Sequence, residues 1–225
     1  MRYRIQTDFE RPSKELIAAV AATHVGVTGV YAGPRQVAHP AIKPLRAEWR
    51  VCGPALTVRP EHYDDLLMGE IAARFAQPGD VIVVDAAGRT DRACWGMGMS
   101  MAAHEAGCAG VVLDGACING ALLTRENPQL PIFARGLTAL AGGADKAGWL
   151  NGPVICGGVI VHPGDIVLGD CDGVVILPAA RAAEIISPSA AFQERAASER
   201  HTGVPYYVRR GSEAKLRSRD DIEWS

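Results

Sequence analysis

The chain has 225 residues, 48% of them apolar and 6% aromatic, with 25 glycines, 14 prolines and a formal net charge of −2. That composition excludes a disordered chain, and the glycines show no collagen-like period. Near neutrality and few aromatic rings argue against a nucleic-acid partner. No apolar run reaches the roughly 18 residues of a membrane span, and Met1–Glu10 lacks a signal-peptide core. The expectation is one cytoplasmic domain over residues 1–225 with no membrane partner. None of Cys52, Cys94, Cys108, Cys117, Cys156 and Cys171 forms a CxxC pair, so they read as reduced core thiols.

In chain order, Pro12-Ser13 starts a helix to Ala22, with Leu16, Ile17, Val20 and Ala21 as its apolar stripe. A mixed Gly/Pro segment follows from Gly26 to Pro44, then a strand around Cys52–Val58. Asp64 and Asp65 open a second helix carrying Leu66, Leu67, Ile71 and Phe75, where acids suit the helix dipole. Val81–Asp85 is apolar on both faces and belongs inside a sheet. It feeds a polar loop from Ala86 to Cys94. A third helix runs from near Gly96 to Gly107, with His104 read as packed. Gly110–Asp114 is a second buried strand, followed by a short helix with Leu122 and Leu123, then a strand at Leu130–Arg135. This alternation predicts parallel strands joined by helical crossovers.

Beyond a loop at Ala141–Lys146, short strands at Val154–Cys156, Val159–Val161, Ile166–Leu168 and Gly173–Pro178 predict a small antiparallel or barrel-like unit. Asp170-Cys171-Asp172-Gly173 lacks the other ligands of a calcium loop and reads as a turn. A last helix covers about Ala179–Arg200, interrupted near Pro188. The tail holds Arg209, Arg210, Lys215, Arg217 and Arg219, offset by Glu213, Asp220, Asp221 and Glu223, and reads as solvated or intersubunit.

Ligands of parallel α/β sheets bind beyond the carboxyl ends of the strands. Two segments lie there, Asp85–Gly98 and Asp114–Asn119. The first joins Arg89, Asp91, Arg92 and Trp95 to a helix start at Gly96-Met97-Gly98. Free N–H groups and the helix dipole there suit a small anion, and arginines add bidentate donors. In the second, Asp114 and Asn119 suit a tight turn that satisfies backbone groups.

Several stretches resemble one known family in order and spacing. They are Gly53-Pro54-Ala55-Leu56-Thr57-Val58, Pro78-Gly79-Asp80-Val81-Ile82-Val83-Val84, Gly110-Val111-Val112-Leu113-Asp114-Gly115, Pro131-Ile132-Phe133-Ala134-Arg135-Gly136, and His162-Pro163-Gly164-Asp165 with Gly169-Asp170-Cys171-Asp172-Gly173-Val174-Val175. The family joins the RraA-like regulators of ribonuclease E activity to the 4-hydroxy-4-methyl-2-oxoglutarate and 4-carboxy-4-hydroxy-2-oxoadipate aldolases. The resemblance implies an α/β fold of the swivelling β/β/α type, with parallel core strands and a small antiparallel β unit. It also implies a homotrimer or a dimer of trimers with sites between subunits. In the aldolases a divalent metal, usually Mg2+, polarises the oxo acid and stabilises the enolate of pyruvate. Oxaloacetate decarboxylation passes through the same enolate.

Carried over residue by residue, the family pattern meets replacements. The aldolases hold the substrate carboxylate on Gly-Asp/Glu-Leu-Leu at the helix start, where this chain has Gly96, Met97, Gly98 and Met99. They end the next strand in Arg-Asp, where this chain has Ile118 and Asn119. Asn119 offers magnesium one neutral oxygen in place of a carboxylate. An acid from a neighbouring C-terminal helix often completes the site, a place for Glu194 or Glu199. Arg89 as a substrate ligand, with Asp91 and Arg92 as catalytic groups beside Asn119, are the candidates for a rearranged site. The expected function is a lyase-type enzyme on a small (oxo) carboxylic acid, either with the aldolase or decarboxylase activity retained, with Mg2+ on Asn119, or with altered, metal-independent chemistry. The alternative is a non-catalytic regulatory member of the family.

Overall fold

The structure, a computed structural model, describes residues 3–126, 130–199 and 203–222. Met1, the helix end at Arg200 and the tail acid Glu223 lie outside the described residues. The chain divides into two compact units, residues 1–190 and 191–225.

The first unit begins with strand β1 (Arg4–Ile5) and helix α1 (Lys14–Ala21). The Ser13 hydroxyl accepts from Leu16 N–H at 3.2 Å, an N-cap that stops the helix extending backwards. Helix α2 (Val25–Ala32) follows inside the segment read as mixed. Its two glycines and β-branched residues carry little intrinsic helix signal. Its N-terminus is held instead by the buried Asp170 carboxylate, which accepts from Val25 N–H at 3.0 Å.

Strand β2 (Lys43–Pro44) precedes β3 (Val51–Pro60), α3 (Leu67–Phe75), β4 (Val81–Trp95), α4 (Met97–Glu105), β5 (Gly110–Cys117), a π-helical turn at Leu122–Glu126 and β6 (Ile132–Leu137). Strands β3, β4, β5 and β6 pair in parallel, as their alternation with helices predicts. Along β4, Val81 and Val83 pack into one apolar cluster and Ile82 and Val84 into another. Both faces of the strand are therefore buried, as its unbroken apolar run requires.

The polar loop expected from Ala86 to Cys94 is a bulged continuation of β4. Ala87 and Gly88 take positive φ values of 52° and 74°. Pairing then resumes at Arg89 with Gly115, Ala93 with Ala116 and Trp95 with Cys117. A bulge hides a strand from pattern reading because it breaks the period-2 alternation. The short helix expected at Leu122 is likewise the π-helical turn.

Strands β7 (Gly148–Leu150), β8 (Val154–Cys156), β9 (Val159–Val161), β10 (Ile166–Asp170) and β11 (Gly173–Leu177) complete the sheets. β8 and β9 form a separate antiparallel hairpin, while β10 pairs antiparallel with β11 and with β3. The expected small antiparallel element is present in both. Helices α3 and α4 cover one face of the parallel strands, through Met68, Ala72, Met99 and Ala103. The β8–β9 hairpin and β10–β11 cover the other, through Val154, Val161, Val167 and Ile176. Outside β10–β11 lies a third cluster with Val20, Val25, Ile185 and Ile186. The order is α, β, β, α.

Helix α5 (Ala179–Glu199) runs through Pro188 without the expected interruption. Proline removes one backbone donor, and beside it the Ser189 hydroxyl donates to Ile185 O at 2.7 Å. In the second unit, α6 (Tyr206–Arg209) and α7 (Ser212–Arg217) occupy the tail that read as solvated. No single described helix is long and apolar enough to cross a membrane.

Candidate functional site

Helix α4 starts directly at the end of β4, and its start is rigidly held. The buried Trp95 donates from its indole N–H to Ser100 Oγ at 2.8 Å, and Ser100 Oγ donates to Gly96 O at 3.0 Å. The Ser100 N–H closes the first helical bond on Gly96 O at 3.1 Å. The N–H groups of Met97, Gly98 and Met99 precede that bond and have no partner within the helix. They open on a cavity of about 260 Å³ that also takes in Leu66, Glu70, Ala102, Ile118 and Asn119.

Each wall has a local cause. The Ile118 N–H donates to Trp95 O at 3.0 Å, which brings the end of β5 beside the helix start. Asn119 then turns through a positive φ of 67°, a conformation asparagine tolerates better than most residues. Its Oδ1 lies over Gly96, where an added Cβ would sit 3.3 Å from it and 3.0 Å from Ile118 Cγ2. On the other side Gly69 lets α3 close on α4, since a Cβ there would sit 2.3 Å from Met99 Cε. That contact carries Glu70 into the cavity.

The structure thus gathers Gly96, Met97, Gly98, Met99, Ile118 and Asn119 into one place. Arg89, Asp91 and Arg92 do not line it. Arg89 and Asp91 form an exposed bidentate pair at 3.0 and 2.7 Å, which holds the Asp91 carboxyl below its usual range. Arg92 lies 3.6 Å from Asp64. Glu194 and Glu199 belong to the second unit, where Glu199 lies 3.6 Å from Arg209. Sequence reasoning missed Glu70. Its helix was legible, but the α3–α4 contact that aims it was not.

A divalent metal fits this cavity poorly. Magnesium is held by hard, charged oxygens. The cavity offers the neutral Asn119 oxygen turned over Gly96, methyl and thioether walls, and the exposed Glu70 carboxylate. Among the described residues, the clustered acid and thiol ligands are Asp170, Cys171 and Asp172, at the β10–β11 turn. There Asp170 is engaged by the Val25 and Asp172 N–H groups, at 3.0 and 2.8 Å.

A second polar region on β4 and β5 is fully committed. Buried Asp114 accepts from Arg135 Nε at 2.5 Å and from Gly157 N–H at 2.8 Å. Buried Asp85 accepts from Ala87 N–H at 3.0 Å and Ile155 N–H at 3.1 Å, with Arg59 3.7 Å away. These acids pin the β8–β9 hairpin to the sheet. Three thiols are quiet as well: burial pushes Cys52, Cys94 and Cys108 up to about 12, whereas Cys171, read as a core thiol, is exposed at the β10–β11 turn. His104, expected to be packed, is exposed on α4.

A layered α/β/β/α framework with its candidate cavity at the carboxyl end of parallel strands defines the class. Comparison places the chain within it. Residues 21–176 match the family described as RraA-like, aldolase/RraA, and the chain belongs to that family. A Halalkalibacterium halodurans protein provisionally named 4-hydroxy-4-methyl-2-oxoglutarate aldolase is 36% identical over 173 residues, 74% of this chain and 81% of that one. The solved structure of Streptomyces coelicolor RraAS2, described as an unusual member of the RNase ES inhibitor RraA protein family, is 28% identical. It superposes with a TM-score of 0.76 over 86% of this chain and 100% of that one. An uncharacterized Pseudomonas syringae pv. tomato protein, 20% identical, shares the fold at a TM-score of 0.76 over 91% of this chain and 97% of its own.

Proposed function

We propose that the chain is a lyase-type enzyme that takes a small oxo carboxylic acid at the start of α4, without a metal ion held by its own carboxylates. One observation carries this reading: a single cavity combines three uncommitted N–H groups with the Asn119 carboxamide and the Glu70 carboxylate. The substrate carboxylate beside the oxo group accepts from the N–H groups of Met97, Gly98 and Met99, where the helix dipole favours negative charge. The Asn119 amide N–H donates to the oxo oxygen. Carbon–carbon cleavage, with loss of carbon dioxide or of a carbonyl fragment, leaves the bonding electron pair as an enolate on that oxygen. A neutral donor placed there is worth about 3 kcal/mol. In aldol cleavage Glu70 removes the proton of the substrate hydroxyl and returns it to the enolate carbon; after loss of carbon dioxide it relays a proton from water to that carbon. Family resemblance supports a trimer or dimer of trimers, in which Arg89, Arg92 and Glu194 would reach sites through neighbouring copies.

The test is pyruvate release from oxaloacetate and from a branched 4-hydroxy-2-oxo acid, in EDTA and in magnesium. Turnover in EDTA that falls about 10²-fold in Glu70→Gln is the expected result. No turnover above the metal-only blank under either condition would overturn the enzyme reading. It would favour the regulatory one, which draws on the absence of a cationic side chain from this cavity among the described residues and on the likeness to RraAS2.

A further inference from the structure

We propose that the C-terminal unit binds a nucleotide, a phosphate ester joined to a planar ring, in a cavity separate from the α4 site. This cavity, about 360 Å³, lies between the end of α5 and α6 and is lined by Phe192, Arg195, Glu199, Tyr206, Arg209 and Arg210.

The charges of the tail sort themselves by partner. Arg217 grips Glu213 at 3.0 and 2.7 Å, and Arg219 grips Asp221 at 2.9 and 2.7 Å. Arg209 is used in folding the unit. It donates to Glu199 O at 2.9 Å and Val204 O at 3.2 Å, and stands 3.6 Å from the Glu199 carboxylate. Arg195 and Arg210 form no ion pair with any carboxylate of the described residues, and both face the same cavity. Its one acid is already balanced by Arg209, so two guanidiniums remain for a ligand. Guanidinium forks match phosphate oxygens two at a time.

The rings decide between a bare anion and a larger one. Tyr206 is 67% exposed, although Arg209 lies 5.6 Å from its ring centroid. Arg195 lies 5.4 Å from the Phe192 centroid. An exposed ring beside two unpaired guanidiniums offers stacking to a planar group whose phosphate the arginines hold. Inorganic phosphate would satisfy the arginines and leave the ring and most of the volume unused.

Calorimetry on the full chain at low salt, with AMP, inorganic phosphate and adenosine as probes, tests this. AMP is expected to bind at least about tenfold tighter than phosphate, because base stacking adds to the ion pairs, and adenosine weakest of the three. Arg195→Ala and Arg210→Ala should each weaken AMP about tenfold, as loss of a charge-assisted bond predicts. Tyr206→Ala should bring AMP down to the level of phosphate. Circular dichroism on each variant verifies that the fold persists. The proposal is overturned if AMP shows no binding at millimolar ligand, binds no tighter than phosphate, or binds folded Arg195→Ala and Arg210→Ala as well as the parent.

Discussion

Strands β4 and β5 carry two polar regions built on opposite principles. Around Asp85 and Asp114 every carboxylate is engaged by a backbone N–H and faces a guanidinium, and the result is a fixed hairpin. Around the start of α4 the donors are left open, and the side chains that face them are mostly apolar. Ionisable groups have thus been kept where they hold the protein together. At the start of α4 the cavity is walled instead by the uncharged Met97, Ile118 and Asn119. The contrast warns against equating a buried acid at a strand end with catalysis: the best-buried acids of this sheet are the ones most fully occupied by structure.

Four substitutions sharpen that contrast. The largest effect belongs to Asp114→Ala, which strands Arg135 and the Gly157 N–H; chemical denaturation should show a loss of about 3 kcal/mol or more. Glu70→Gln should leave stability within about 0.5 kcal/mol, as expected for an exposed position. Its turnover should drop about 10²-fold, equivalent to about 2.7 kcal/mol of barrier. Equal loss of stability in the two variants would erase the distinction between the regions. Gly96→Ala comes next. Its Cβ would press Ile118 at 3.0 Å and Asn119 at 3.3 Å, for a cost of about 1–2 kcal/mol in thermal unfolding. Gly98→Ala is the mildest, because nothing lies within 4 Å of the added carbon. It should stabilise α4 by about 0.5 kcal/mol, and a loss instead would mean the helix start is more crowded than its geometry shows.

Much of this framework was legible in the residues. The both-face apolar runs at Val81–Val84 and Gly110–Leu113 announce central parallel strands, and Ser13 marks the start of α1. Residues that depend on distant partners were not legible. Helix α2 needs Asp170 from 145 positions away in the chain. The β4 bulge shows only once Arg89 finds Gly115. At the candidate site, the Gly96–Met99 helix start and the Ile118–Asn119 turn could be placed from spacing. Glu70 could not, because the side chain entering a cavity between two helices is set by their contact, here through Gly69 and Met99.

Strand β3 has a consequence for how the protein is made. Its second half pairs with β4, only some 25 residues downstream, but Val51–Pro54 pairs with Ile166–Gly169. During synthesis that first half leaves the ribosome more than a hundred residues before its partner does. Until Gly169 has emerged, the nascent chain carries an unpaired apolar edge, the kind of edge that recruits other chains. Truncation anywhere between β6 and β10 should therefore give a sticky product even though the parallel strands are all present, and full-length yield should depend on how quickly the last third of the chain is translated.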